Sequence, residues 1–183
     1  MNEFIEKQTN LLTRKECNDL INWSLNTRSM RTPPQENITG YRYVTYNPNE
    51  VIELPELYPI KRSIIQLKNS YTRKYSELND LPKWKLDYVS IKWWKPGDHY
   101  SMWHSEHSPG LSMGRILSFL IYLSDNDSYT HFKRHDSIKS ELGSGIIFPA
   151  YFTHTHKGSI CEKGLDRFIA SGYFSFFDPN GNS

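Results

Sequence analysis

The stretch LDYVSIKWW, residues 86–94, decides the architecture, because its side chains change character every second residue. In an extended chain successive side chains point to opposite sides. Val89, Ile91 and Trp93 therefore share one face of a predicted strand over Leu86–Trp94. The same reading carries forward. Residues 115–123, RILSFLIYL, are nearly all apolar, as a central strand covered on both faces requires. Residues 145–148 (GIIF) and 168–177 (FIASGYFSFF) predict two more strands, with Gly- and Pro-containing turns between them.

Upstream, the period lengthens. Ile60, Ile64, Leu67, Tyr71, Tyr75 and Leu78 recur at spacings of three and four, which predicts a helix from about Pro59 to Leu78 with one apolar stripe. Thr13 precedes Lys15, Glu16 and Cys17 as an N-cap, and Leu20, Ile21, Trp23 and Leu25 continue an amphipathic helix. A loop with Pro33, Pro34, Asn37 and Gly40 follows, then a short strand, Tyr41–Tyr46. Helices first and strands afterwards predict an α+β fold whose β part is a barrel or sandwich. A dinucleotide-binding fold would interleave them.

The bulk numbers narrow the class. A chain of 183 residues is read as one domain, 1–183, with 1–83 a mostly helical support and 84–178 the β core. Only 37% of residues are hydrophobic, so the 14% that are aromatic must supply much of the buried area. Net charge is +2, from 22 basic and 20 acidic residues without a run of one sign, which gives no nucleic-acid or membrane-surface signature. Cys17 and Cys161 form no CxxC pair and no disulfide framework. Asn2, Glu3, Glu6 and Lys7 stand where a secretory leader needs apolar residues, so a cytoplasmic location is expected.

Among seven histidines, only His104 is followed two places later by a carboxylate, in His-Ser-Glu. Positions i and i+2 of an extended segment face the same way, so His104 and Glu106 can converge on one cation. His156 lies 52 positions further on, beside the next predicted strand, and is a candidate third ligand. Two imidazoles and a carboxylate leave three coordination positions open, as in non-haem Fe(II) oxygenases. Alone the pattern is weak, since surface histidines on loops produce it by chance. No HExxH occurs, which argues against a zinc protease of that kind.

The surrounding residues sharpen it. WWKPGDHYSMWHSEH (residues 93–107) resembles the first iron-ligand region of the prolyl-4-hydroxylase-like branch of the 2-oxoglutarate/Fe(II) oxygenases: an aromatic, a Pro-Gly turn and a Tyr before His-x-Asp/Glu. Arg115 then opens a strand ending in Tyr122-Leu123-Ser124-Asp125. GSGIIFPAYFTHTHKG (143–158) and RFIASGYF (167–174) are similar to the closing region. The likeness runs in order over about residues 86–177. It implies a double-stranded β-helix (jelly-roll) core with N-terminal helices packed on the major sheet. It implies Fe(II) on His104, Glu106 and His156, the second histidine of THTH being the ligand in relatives with that ending. Arg167 would hold the distal carboxylate of 2-oxoglutarate, since a planar guanidinium matches a carboxylate in two hydrogen bonds. Tyr122 and Ser171 stand where the family places hydroxyl donors to it, while Tyr100, Trp94, Thr130 and His154 are candidates for the pocket.

The implied reaction hydroxylates an unactivated C–H bond, a peptidyl proline being the first candidate, using 2-oxoglutarate and O2 and releasing succinate and CO2, with ascorbate as an auxiliary reductant. Partners would be the cosubstrate and a peptide or small-molecule substrate. This chain departs from the family in three places. Glu106 replaces the usual Asp; Asp127-Ser128-Tyr129-Thr130-His131-Phe132 lacks the Gly-Gly that relatives carry before the Thr; and Trp94 stands where many have Tyr. Two rival readings are an inactive jelly-roll module binding a protein or sugar, and a cupin-like metalloenzyme without a keto-acid cosubstrate. Retention of the ligands together with Arg167 favours the oxygenase.

Overall fold

Residues 2–32, 41–109, 112–161 and 164–176 are described by the computed structural model. The loop expected around Pro33, Pro34, Asn37 and Gly40, and Phe177 at the end of the last predicted strand, lie outside them. In chain order the elements are strand β1 (Glu6–Gln8), helix α1 (Arg14–Thr27), β2 (Arg42–Tyr46), helices α2 (Pro48–Glu53) and α3 (Tyr58–Lys74), β3 (Trp84–Trp94), β4 (Arg115–Tyr122), β5 (Tyr129–Phe132), β6 (Ile138–Lys139), β7 (Gly145–Pro149), β8 (His156–Gly158) and β9 (Arg167–Phe176). Short 3-10 turns occupy Pro55–Leu57, Ser76–Asn79 and Phe152–His154.

The helices start where their caps dictate. Thr13 Oγ1 accepts from the Glu16 backbone N–H at 3.2 Å, and the Glu16 carboxylate returns the contact to the Thr13 N–H at 2.8 Å. Asn47 and Glu50 do the same for α2. Helix α3 ends earlier than its apolar period suggests. Tyr75 leaves helical geometry (φ −121°, ψ 74°), and Ser76–Asn79 tighten into a 3-10 turn. The stripe nevertheless stays in register with the core: Ile60, Ile64, Leu67 and Tyr71 are buried, and Tyr75 and Leu78 pack half-buried beside them.

Six strands form an antiparallel sheet in the order β1-β7-β4-β9-β3-β2, and β6-β5-β8 form a second sheet. The two faces of the large sheet divide the labour by residue parity. Val89, Ile91, Phe119, Ile121, Ile147, Phe168 and Phe174 face the helices in one core. Trp94, Tyr122, Ile146, Phe148 and Ile169 share the other core with Phe132 and Ile138 of the small sheet. The support region contributes the strand expected at Tyr41–Tyr46, which is β2, and also β1, and the two supply both edges of the large sheet. Close packing at its centre depends on Gly172, where a Cβ would lie 2.3 Å from the Tyr88 carbonyl oxygen and 2.5 Å from the Phe119 ring.

Candidate metal centre

Two backbone hydrogen bonds bring the ligands together. His104 N–H donates to the His156 carbonyl at 3.0 Å and His156 N–H to that of His104 at 2.9 Å, an isolated antiparallel bridge that places the imidazoles side by side, 4.4 Å between centroids. Glu106 and His107 N–H groups both donate to the Ala150 carbonyl, which pins the segment against the end of β7. Each histidine is oriented by the carbonyl two residues before it: Nδ1 of His104 lies 3.0 Å from Met102 O, and Nδ1 of His156 3.0 Å from His154 O. A carbonyl only accepts, so both Nδ1 atoms carry the proton and both Nε2 lone pairs face inward.

Those lone pairs meet the Glu106 carboxylate. Oε1 lies 3.3 Å from His104 Nε2 and 3.5 Å from His156 Nε2, and one potential ligand atom from each residue falls within 4.8 Å of the others. Three electron-pair donors at this spacing repel unless a cation sits among them. Protonated imidazoles would hold the Glu106 carboxyl well below its ordinary 4.5 despite its burial; with the Nε2 atoms unprotonated, that stabilisation falls to a cation placed among the three donors. The donor set, two nitrogens and one carboxylate oxygen, fits Fe(II) with open positions. Behind it, Arg115 stacks on Tyr173 at 3.8 Å and donates to the Tyr88 hydroxyl at 3.0 Å; Nη1 is 3.8 Å from Glu106 Oε2.

The three residues open onto a cavity of about 720 Å³ walled by β2, β3 and β9 on one side and β8 on the other. Arg167 lies across it, 3% exposed, with its guanidinium 5.4 Å from the Trp94 ring and Nη1 so close to Gly158 that a Cβ there would lie 3.0 Å away. Burial lowers the pKa of Arg167, opposed by Tyr122. Arg167 Nε, Trp94 Nε1 and Ser171 Oγ are buried polar atoms with no hydrogen-bond partner among the described residues, and all three residues line this cavity. Buried donors require acceptors, so the set fits an oxygen-rich anion such as the keto diacid. Tyr122 hydrogen-bonds the Thr130 hydroxyl at 2.9 Å nearby, and Tyr100 stands 4.4 Å from the His104 ring.

His154 is not brought here. The 3-10 turn that precedes Thr155 turns it away, to donate from Nε2 to the Glu3 carbonyl at 3.1 Å and stack on His135 at 4.5 Å, in a separate cavity. His107 packs on Tyr151 with Nδ1 at 3.2 Å from the Arg115 carbonyl. Sequence reasoning passed over Tyr88, Lys92 and Tyr173 as wall residues of the site. Parity would have found them: Tyr88 and Lys92 share the Trp94 face of β3, and Tyr173 shares the Arg167 face of β9.

No family model and no curated protein sequence matches the chain. Solved structures do. A viral collagen prolyl hydroxylase from Paramecium Bursaria Chlorella virus-1, in its 2OG complex, is 18% identical over 97% of this chain and 98% of that one, with a TM-score of 0.72. A prolyl-4-hydroxylase from Pseudomonas putida is 13% identical over 97% and 95%, TM-score 0.70. A prolyl hydroxylase from Trichoplax adhaerens, in complex with a hypoxia inducible factor peptide fragment, is 11% identical over 95% and 84%, TM-score 0.63. The fold is therefore that of the 2-oxoglutarate/Fe(II) oxygenases, with prolyl 4-hydroxylases among the solved structures it resembles.

Proposed function

We propose that the whole chain is one oxygenase domain, a double-stranded β-helix that hydroxylates an unactivated C–H bond with Fe(II), 2-oxoglutarate and O2. The observation that carries this reading is the pairing, across one cavity, of a His-Glu-His cluster with a buried guanidinium that has no carboxylate partner among the described residues. His104, Glu106 and His156 would hold the metal. Arg167, with Trp94 and Ser171 beside it and Tyr122 behind, would bind and orient the distal carboxylate. When bound, the metal and keto acid supply hydroxylation coupled to loss of succinate and CO2, with ascorbate as auxiliary reductant. The protein's part is to fix the donor geometry through the Met102 and His154 carbonyls, orient Glu106 through Arg115, and wall the site with aromatic side chains.

Likeness to prolyl hydroxylases supports a peptidyl proline as the first substrate to try, though a fold alone does not assign one. The buried free thiols of Cys17 and Cys161 support a reducing compartment such as the cytoplasm, and no helix among the described residues is long and apolar enough to cross a membrane. The test is an anaerobic visible titration of metal-free protein with Fe(II) and then 2-oxoglutarate. A charge-transfer band that needs both, and that disappears in Arg167→Ala and in His156→Ala, is the expected result. Absence of the band, with calorimetry finding no 2-oxoglutarate binding, would overturn the reading and favour the binding module.

A further inference from the structure

The cavity holds more positive charge than a metal and a keto diacid can use. Among the described residues, Arg31, Lys92, Lys157 and Arg167 line it, and Glu106 is the one carboxylate that does. Lys157 is committed elsewhere, its ammonium 4.8 Å from the centre of the Trp103 ring. If Fe(II) joins Glu106 and the dianionic keto acid joins Arg167, their formal charges cancel. Lys92 and Arg31 are left over.

Lys92 is the telling one. Strand register seats it on the cavity floor between Tyr43 of β2 and Ile169 of β9, one step along the sheet from the Trp94–Arg167 pair. It is part-buried, and no carboxylate of the described residues stands within ion-pairing distance of it. Desolvation depresses its pKa; Glu106 counteracts this, while Arg115 and Arg167 add to it. A cation left unpaired beside two guanidinium groups is costly unless an anion joins it. On the same face Ser90 lies opposite Thr45, their hydroxyls hydrogen-bonded to each other at 2.9 Å, so one O–H of the pair is left to donate. Above them Tyr41, Tyr43 and Tyr100 form an aromatic wall, ring centroids 6.0 and 6.1 Å from Tyr41, and Arg31 stands exposed at the rim.

Resting on the oxygenase reading, we propose that the primary substrate is a small carboxylic acid, its carboxylate bound by Lys92 on the cavity floor and drawn in by Arg31, with its hydrocarbon part against the tyrosine wall. This is a narrower class than any C–H substrate, and it differs from a neutral proline ring in a peptide by the charge it must carry. Lys92 is then the residue that sets specificity, separate from Arg167, which serves the cosubstrate.

The experiment is anaerobic calorimetry on the Fe(II)–2-oxoglutarate protein with acid and amide pairs as probes: benzoate and benzamide, 4-methylpentanoate and its amide, L-proline and L-prolinamide. At least one acid is expected to bind about tenfold or more tightly than its amide, and Lys92→Met to reduce the preference to within about twofold. Lys92→Arg should keep it, which guards against a variant that merely fails to fold. Arg31→Met should weaken the acid by only about two- to threefold, as a rim charge does. Acids and amides binding alike in every pair would overturn the proposal. So would preferential binding of inorganic phosphate over every acid, or loss of the 2-oxoglutarate charge-transfer band in Lys92→Met, which would assign Lys92 to the cosubstrate. If wild type shows no such band, the oxygenase reading fails instead. The same titrations on the metal-free protein then decide Lys92 alone, an acid preference lost in Lys92→Met supporting the anion site and its absence overturning it.

Discussion

Glu106 is held from two sides. In front, two imidazole nitrogens approach one of its oxygens at 3.3 and 3.5 Å; behind, the Arg115 guanidinium lies 3.8 Å from the other. The first contact groups it with two potential metal donors, and the second decides where it points. Glu106→Ala is accordingly expected to abolish Fe(II)-dependent consumption of 2-oxoglutarate, and full turnover would remove it from the site. Arg115→Met is a subtler change. It should lower Fe(II) affinity by roughly 10- to 100-fold, as loss of groups that orient metal ligands does, and leave half-saturation by 2-oxoglutarate nearly unchanged once iron is saturating. Arg167→Ala should do the reverse, raising 2-oxoglutarate half-saturation about 30-fold or more while Fe(II) binding persists, since charge-assisted hydrogen bonds are worth about 2–3 kcal/mol. Kinetics at fixed saturating iron separate the two. The convergence of His104 and Glu106 was visible in His-Ser-Glu, because a spacing of two implies shared direction in space, whereas His156 was picked out by the resemblance of the THTH ending. Which residues stand behind it was not, since Arg115 and Tyr173 meet Glu106 only through the pairing of β4 with β9.

Strands β3, β4, β7 and β9 were legible because each carries its own burial pattern over at least four residues, independent of any partner. The short ones carry none. β1, β6 and β8 have three, two and three residues, and each includes a charged one. They exist because β7 and β5 offer unpaired backbone groups, a tertiary cause that no local pattern records. The same contrast separates two substitutions. Thr13→Ala removes one capping contact at an exposed helix start and should cost about 1 kcal/mol. Gly172→Ala drives a methyl group into the Tyr88 carbonyl and the Phe119 ring at the centre of the six-stranded sheet, where neither can yield cheaply. It should cost about 1–3 kcal/mol or more, and it should displace Ser171 from the cavity floor as β9 shifts. Thermal melts of both variants, with 2-oxoglutarate affinity measured on each, check the ordering. A Gly172→Ala protein as stable as Thr13→Ala would mean that the sheet has slack at its centre.

At the scale of the whole molecule, the two regions of the chain are interleaved: β1 and β2 close the edges of a sheet whose middle belongs to the second half, and α1 and α3 cover its outer face. Stability should therefore be shared by both cores, and one titrating group reports on each. Cys17, fully buried on α1 in the helix-side core, has its thiol pushed up by burial from 9.0 to about 11. Tyr122, buried between the sheets, has its phenol pushed up by burial from 10.0 to about 12. Both groups are neutral in folded and unfolded chains below the unfolded values, so their contribution is complete there. Above those values the unfolded chain loses protons that the folded chain keeps, and stability falls as pH rises toward the folded values. For Cys17 the window runs from 9.0 to about 11, and the slope approaches about 1.4 kcal/mol per pH unit at most. Urea midpoints of wild type and Cys17→Ala, in reductant at about pH 8 and about pH 11, isolate that contribution, because every other titrating group is common to both. The wild type should lose more stability over the interval than Cys17→Ala. Equal losses would show that the thiol ionises in the folded protein as it does in the unfolded one, and that the helix-side core admits water at α1.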